Sequence, residues 1–161
     1  MPDEVDYAAL LTPLLGQAGA YARTLLRHKQ DAEDAVQQAA LHGLQRMDSF
    51  DRARSFKAWW FTILRNCCVD ALRAARAHPT QALGDDDALA APVPEPGGWE
   101  ALSRALATLS RGHKEILQLR YFGQMSYAEL AQTLDIPLGT VMSRLHLARR
   151  ALVANAREDE A

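Results

Sequence analysis

Residues 126–152 read SYAELAQTLDIPLGTVMSRLHLARRAL, and two apolar stripes run through them, separated by a break. Ser126 and Glu129 stand at capping-box spacing, where a hydroxyl and a carboxylate satisfy the first backbone donors of a helix. Leu130, Ala131 and Leu134 then form one apolar face. Asp135-Ile136-Pro137-Leu138-Gly139 interrupts that pattern, and Pro137 fits the first turn of a new helix, where its missing N–H costs little. In the second helix Val141, Leu145, Ala148 and Leu152 line up. The opposite side carries Ser143, His146, Leu147 and Arg150, with Met142 beside them and Arg144 and Arg149 on the flanks. A short helix, a tight turn and a helix with a basic outer face make the helix-turn-helix pattern, whose second helix enters a major groove. An ordinary helical hairpin with solvated arginines shares the pattern.

The wording of the stretch narrows the choice. LDIPLGTVMSRLHLARRAL closely resembles the end of a bacterial sigma factor of the extracytoplasmic-function (ECF) group of the sigma-70 family, where the usual form is G-T-V-x-S-R-L-x-R-A-R after a short helix containing E-I/L-A. The resemblance implies that the outer face of the second helix reads a promoter −35 element. Ser143, His146 and Leu147 would project furthest, with Met142 and Arg150 beside them, and Arg144, Arg149 and Arg150 would hold phosphates. Family members usually carry Arg where this chain has Leu147, and often a basic residue where it has Met142. Residues 100–121 upstream give two short helical stripes, Leu102, Ala105, Leu106 and Leu109, then Ile116, Leu117, Leu119 and Tyr121. ALATLSRGHKEILQLRYFGQMSYAELA resembles the start of sigma domain 4, with Ser110 for the usual Pro and Lys114 for the usual Arg. Residues 100–154 are thus expected to form a four-helix domain.

The N-terminal half has its own core. Residues 5–28 read as a helix with Leu10, Leu11, Leu14, Leu15, Ala18, Tyr21, Ala22 and Leu25 as its stripe, and Pro13 marks a kink or a late start. Asp31 is a candidate cap for a helix over about 32–48, with Ala35, Val36, Ala39, Ala40, Leu44 and Met47 inward. DAEDAVQQAALHGLQRMDSF resembles the second conserved segment of sigma domain 2, usually D-A-E-D-x-V-Q-E-x-F, although Gln38 stands for Glu and Ala40 for Phe. The resemblance implies docking on core RNA polymerase, at the β′ clamp helices, through Asp34, Gln37 and Gln38, with the β subunit a further contact. A plain amphipathic bundle helix would leave those three as mere surface.

SFDRARS (49–55) is a polar break. FKAWWFTILRNCCVDALRAARA (56–77) is a long helix resembling the promoter-opening and −10-reading segments, usually F-x-x-W-L-x-x-I-x-x-N-x-x-x-D-x-x-R. Phe56, Trp59, Ile63, Asn66, Asp70 and Arg73 match. An opened strand needs aromatic faces for stacking, cations for phosphates and a pocket for an extruded base. Phe56 and Trp60 are the expected faces, with Arg65, Asn66 and Arg73 beside them. Trp59 sits at core-like spacing with Ile63 and Leu64 and is read as a core residue. By resemblance, the flipped base is held by the loop at 49–56.

Composition bounds the alternatives. The chain has 161 residues, 48% apolar and 24% charged, ordinary for a globular protein. Residues 1–77 carry ten Lys/Arg against nine Asp/Glu, residues 78–99 none against four, and residues 100–161 eight against seven. Two nearly neutral blocks therefore flank an acidic connector holding four of the seven prolines. Its 22 residues, fully extended, span roughly 70–80 Å, about two turns of B-DNA. A net charge of −2 predicts weak DNA binding by the chain alone, since nonspecific affinity comes from phosphate neutralisation. Cys67 and Cys68 are adjacent and read as reduced core thiols. The five histidines are scattered, with neither Glu-x-x-His nor His-x-x-x-His spacing, so no metal or other cofactor is expected. No apolar run is long enough to span a bilayer, and the acidic MPDEVDYAAL start is unlike a signal peptide; a cytoplasmic protein without membrane insertion is expected.

The fold expected is all-α: a three-helix sigma domain 2-like unit (5–77), the linker (78–99) and the helix-turn-helix unit. The function implied is a non-catalytic initiation factor that brings core polymerase to promoter DNA, controlled by an anti-sigma factor. A sigma-like decoy that sequesters an anti-sigma factor without reading DNA is the alternative. Such a decoy should lack a basic recognition helix or the strand-opening aromatics, and this chain has both.

Overall fold

Pro13 does break the N-terminal helix. In the computed structural model, which describes residues 6–77 and 98–160, α1 (Tyr7–Leu11) gives way to a 3-10 turn at Thr12–Leu14, and α2 runs over Leu15–Leu25. Asp6 caps α1, its carboxylate accepting from the N–H groups of Ala8 and Ala9. The next helix, α3 (Lys29–Gln45), starts earlier than expected. His28 occupies the cap position without a side-chain bond, and Asp31 lies inside the first turn. There it complements the helix dipole rather than capping the end. A 3-10 turn at Met47–Ser49 precedes α4 (Phe56–Ala77), whose bounds match the sequence reading.

α2, α3 and α4 enclose a core of Leu11, Ala18, Tyr21, Ala22, Ala35, Ala39, Trp60, Phe61, Leu64 and Cys68. The small residues of α3 let α4 approach closely. Gly43 is the tightest point: a Cβ there would lie 2.9 Å from the Trp60 ring and would also strike the Tyr7 hydroxyl. The Trp60 indole N–H donates to Tyr7 Oη (3.1 Å), and Tyr7 Oη donates to the Ala40 carbonyl (2.7 Å). This relay satisfies the one polar atom of a fully buried indole. Gly43→Ala is therefore expected to destabilise by about 1–3 kcal/mol through overpacking, lowering the melting midpoint by roughly 2–4 °C per kcal/mol. A thermal melt measures it, and an unchanged midpoint would mean that Tyr7 and Trp60 are not locked as described.

Leu15 and Leu44, read as inward, and Trp60, read as outward, come out the other way, with Leu15 41% exposed. Leu44 is 57% exposed on α3, with Leu41 beside it; small residues already fill the seam with α4. Trp60, expected on the surface, is fully buried, because it lies one turn before Leu64 on the face of α4 that meets α1 and α3. Cys67 and Cys68 are buried free thiols. Burial pushes Cys68 up to about 12, so it stays protonated near neutral pH and packs as an apolar group.

The C-terminal unit consists of α5 (Gly98–Ala107), α6 (Arg111–Tyr121), α7 (Tyr127–Leu134) and α8 (Leu138–Glu160). The reading of 78–99 as a linker lies outside the described residues except for Gly98 and Trp99, which belong to α5. Ile116, Leu119, Met125, Leu130, Val141, Leu145 and Ala148 form the centre. Tyr121 is not part of it: it is 54% exposed at the end of α6. Asn155 ties α8 back to α5, donating to Thr108 Oγ1 (2.8 Å) and to the Ala105 carbonyl (3.4 Å). The two units are not held apart. α4 packs against α7, and α2 touches α6. No helix among the described residues is long and apolar enough to cross a membrane.

Candidate nucleic-acid interface

The turn before the last helix is set by local chemistry. Ser126 Oγ accepts from the Glu129 N–H (3.1 Å), the first half of a capping box. The second half is absent, since the Glu129 carboxylate leans towards Lys57 at 3.8 Å. Asp135 closes α7 in the left-handed region at φ 53°, a conformation that Asp tolerates better than most residues. The Ile136 N–H then donates to the Ala131 carbonyl (3.1 Å), and the Pro137 carbonyl receives the N–H groups of Thr140 (3.0 Å) and Val141 (3.1 Å). Pro137 thus precedes α8 as its cap instead of entering the first turn.

On α8, Val141, Leu145 and Ala148 are fully buried. That fixes the rotation of the helix, and it leaves Met142, Ser143, His146, Leu147 and Arg150 exposed in one row. Met142 is 55% and Leu147 52% exposed. Arg144 and Arg149 are half-buried at the edges. Arg149 is held by a group absent from the sequence reading: its Nε donates to Tyr121 Oη (2.7 Å), and its guanidinium sits 5.7 Å from the Tyr121 ring centre. Hydrogen bonds to the phenol oxygens of Tyr121 and Tyr127 raise the Arg149 pKa. The exposure of Tyr121, set against its apolar-stripe assignment, follows from this pairing.

A second surface lies on α4. Trp59, Asn66 and Arg73 recur every seven residues and so share one face. Trp59 is half-buried and Asn66 and Arg73 are exposed. The aromatic side chains at its start form a cluster. Phe50 lies 5.1 Å from Trp59 and 5.6 Å from Phe56, and Phe56 lies 5.7 Å from Trp59, between ring centres. These separations suit offset and edge contacts. The seven-residue spacing with Asn66 and Arg73 was the signal that points to Trp59 instead of Trp60. Further along, an open cavity of about 340 Å³ is lined by His42, Arg46, Asn66, Cys67, Asp70 and Arg73, and Cys67 Sγ is 3.7 Å from His42 Nδ1.

Arg65 does not join this face. It forms an ion pair with Glu115 of α6. On α3, Asp34, Gln37 and Gln38 are exposed on the side that also presents Leu41 and Leu44. Gln30 Nε2 donates to Asp34 Oδ1 (2.8 Å), and Gln38 Nε2 is 3.0 Å from His42 Nε2. Among the described residues no three His, Cys, Asp or Glu side chains cluster as metal ligands would.

Comparison with known proteins covers both surfaces. The family model of sigma-70 region 2 matches residues 10–78, and that of sigma-70 region 4 matches residues 99–152. The ECF RNA polymerase sigma factor SigL of Mycobacterium tuberculosis is 37% identical over 158 residues, covering 90% of this chain and 88% of that protein. The ECF RNA polymerase sigma factor RpoE of Cereibacter sphaeroides is 30% identical over 151 residues, covering 91% and 83%. The sigma factor RpoE of Bartonella quintana, solved in complex with the anti-sigma factor NepR, superposes with a TM-score of 0.72 at 28% identity, over 94% of this chain and 97% of that one. CnrH, solved with the cytosolic domain of CnrY, shares the fold with a TM-score of 0.72 at 24% identity. With both regions matched in order along one all-helical chain, the protein belongs to the ECF group of the sigma-70 family of RNA polymerase sigma factors.

Proposed function

We propose that the chain directs core RNA polymerase to promoters, with α8 reading the −35 element, the Phe56–Trp59–Asn66–Arg73 face of α4 taking the opened −10 strand, and the outer face of α3 docking on polymerase. The carrying observation is the row on α8: three fully buried residues fix the helix, and Met142, Ser143, His146 and Leu147 face outwards together. Only that geometry brings side chains to base edges while the flanking arginines reach phosphates. On α4 the polar cavity beside Asn66 and Arg73 has room and donors for an extruded base. On α3, exposed Leu41 and Leu44 would add apolar area to the Asp34, Gln37 and Gln38 contact. The activity is binding and positioning, without a bond-making step by the chain itself. The Bartonella likeness supports an anti-sigma factor as a further partner.

The row is unusual in its chemistry. An Arg–guanine bidentate contact is worth about 1–3 kcal/mol of discrimination. Leu147 cannot make it, but can touch a thymine methyl. The −35 preference at that step should therefore differ from one read by Arg. Leu147→Arg is expected to change the preferred −35 sequence with little change in salt dependence. Arg149→Ala should weaken binding evenly across promoter variants and reduce the salt slope by about one. Polymerase holoenzyme binding to a promoter library at several salt concentrations separates the two. An unchanged sequence preference for Leu147→Arg would mean that α8 does not sit in the groove as described.

A further inference from the structure

Arg149 is held from outside its own helix. Its Nε donates to Tyr121 Oη (2.7 Å), and its guanidinium carbon stands 5.7 Å from the centre of the Tyr121 ring. Tyr121 ends α6 and is exposed. The Tyr127 phenol is a second acceptor for the same guanidinium. Tyr127 opens α7. The Arg120 guanidinium lies 5.1 Å from the Tyr127 ring centre and donates to the Met125 carbonyl. Three helices therefore meet in one arginine–tyrosine network: α6 supplies Arg120 and Tyr121, α7 supplies Tyr127, and α8 supplies Arg149.

The partners of Arg149 are phenols and not carboxylates. Among the described residues no ion pair involves Arg149, so its charge is oriented without being neutralised. An arginine bound to a carboxylate, as Arg65 is to Glu115, must give up that partner before it takes a phosphate. A guanidinium has five N–H donors, and the two phenols occupy two, leaving three for an incoming anion. Tyr121 Oη accepts from Nε through a lone pair, and its own O–H stays available to donate. A mobile arginine loses rotamer freedom when it grips a phosphate, and ordering it beforehand moves that cost from binding to folding. We propose that Tyr121 and Arg149 form one phosphate clamp for the −35 backbone, with Tyr121 orienting the guanidinium and its hydroxyl donating to the same phosphate. This rests on the placement of α8 at the −35 element and brings in a residue of α6 that the placement did not use.

The test uses the full chain assembled with core polymerase, and promoter duplexes in which single −35 phosphates are replaced by neutral methylphosphonates. Tyr121→Phe keeps the ring and removes the hydroxyl; at an exposed site its melting midpoint should match the parent. It should weaken promoter binding about five-fold, evenly across −35 sequences, because a phosphate carries no base identity. The guanidinium charge is kept, so the salt slope should change by less than the reduction of about one expected for Arg149→Ala. With Arg149→Ala already present, adding Tyr121→Phe should cost no more than about two-fold, the non-additivity of two groups that share one ligand. A methylphosphonate at one position should abolish the Tyr121→Phe and Arg149→Ala losses alike, which a residue that merely supported the fold would not show. A Tyr121→Phe protein that binds like the parent, a Tyr121→Phe loss that persists in full without Arg149, or losses that map to different phosphates would overturn the inference. In each of those outcomes Arg149→Ala still weakens binding and the placement of α8 stands. Arg149→Ala without any effect on binding would overturn both.

Discussion

Trp60→Ala is expected to remove about 3–5 kcal/mol of folding stability, the usual cost of emptying a large aromatic site. A domain's whole margin is about 5–15 kcal/mol, so this one substitution consumes a large part of it. The indole is fully buried, lies 5.7 Å from the Phe61 ring centre, and anchors the relay through Tyr7 to the Ala40 carbonyl. Removing it opens a cavity between α1, α3 and α4 and leaves the Tyr7 hydroxyl without its indole donor. Trp59→Ala, at a half-buried site among Phe50 and Phe56, should lower the midpoint far less. Chemical denaturation of both variants gives the comparison. A Trp60→Ala protein that melts like the parent but fails to open promoters would return Trp60 to the strand-binding surface.

The second large effect is on strand opening. Replacing both Phe56 and Trp59 by Ala should reduce transcription from duplex promoters by about ten-fold or more, because each stacked base contributes roughly 1–3 kcal/mol. The deficit should shrink on templates already unpaired around the start site, where less of the opening depends on capture of the strand. The variant's melting midpoint serves as the control. Equal losses on duplex and pre-opened templates, accompanied by a lower midpoint, would show that the pair supports the fold and not the DNA.

Much of this was legible in the sequence, for definite physical reasons. Helix period, the Ser126 cap and Pro13 placed elements, and the bounds of α4 came out as read, whereas Asp31 lies inside the first turn of α3 and not at its cap. The α8 stripe of Val141, Leu145 and Ala148 fixed the outward row, because burial of one side of a helix determines the other. The errors arose where a tertiary neighbour decides which of two adjacent apolar residues is inside. Trp59 and Trp60 are both aromatic and one step apart, and only the close approach of α3 at Gly43 assigns Trp60 to the core. Leu44 was read as inward by period, yet alanines and a glycine fill that seam and push it outside. Tyr121 fitted an apolar stripe, and its partner Arg149 lies 28 positions away. The ion pairs of Lys57 and Arg65 with Glu129 and Glu115 join residues 50 or more positions apart, across the connector, where no local pattern could reveal them.

In vitro transcription with purified core RNA polymerase on genomic template, with start sites mapped, tests the sigma-factor reading most directly. The expected result is a set of transcripts that depend on this chain and begin downstream of a shared pair of −35 and −10 sequences, with promoter binding by the chain alone weak or undetectable. Tight, specific promoter binding by the chain alone, with no transcripts that require it, would contradict the reading.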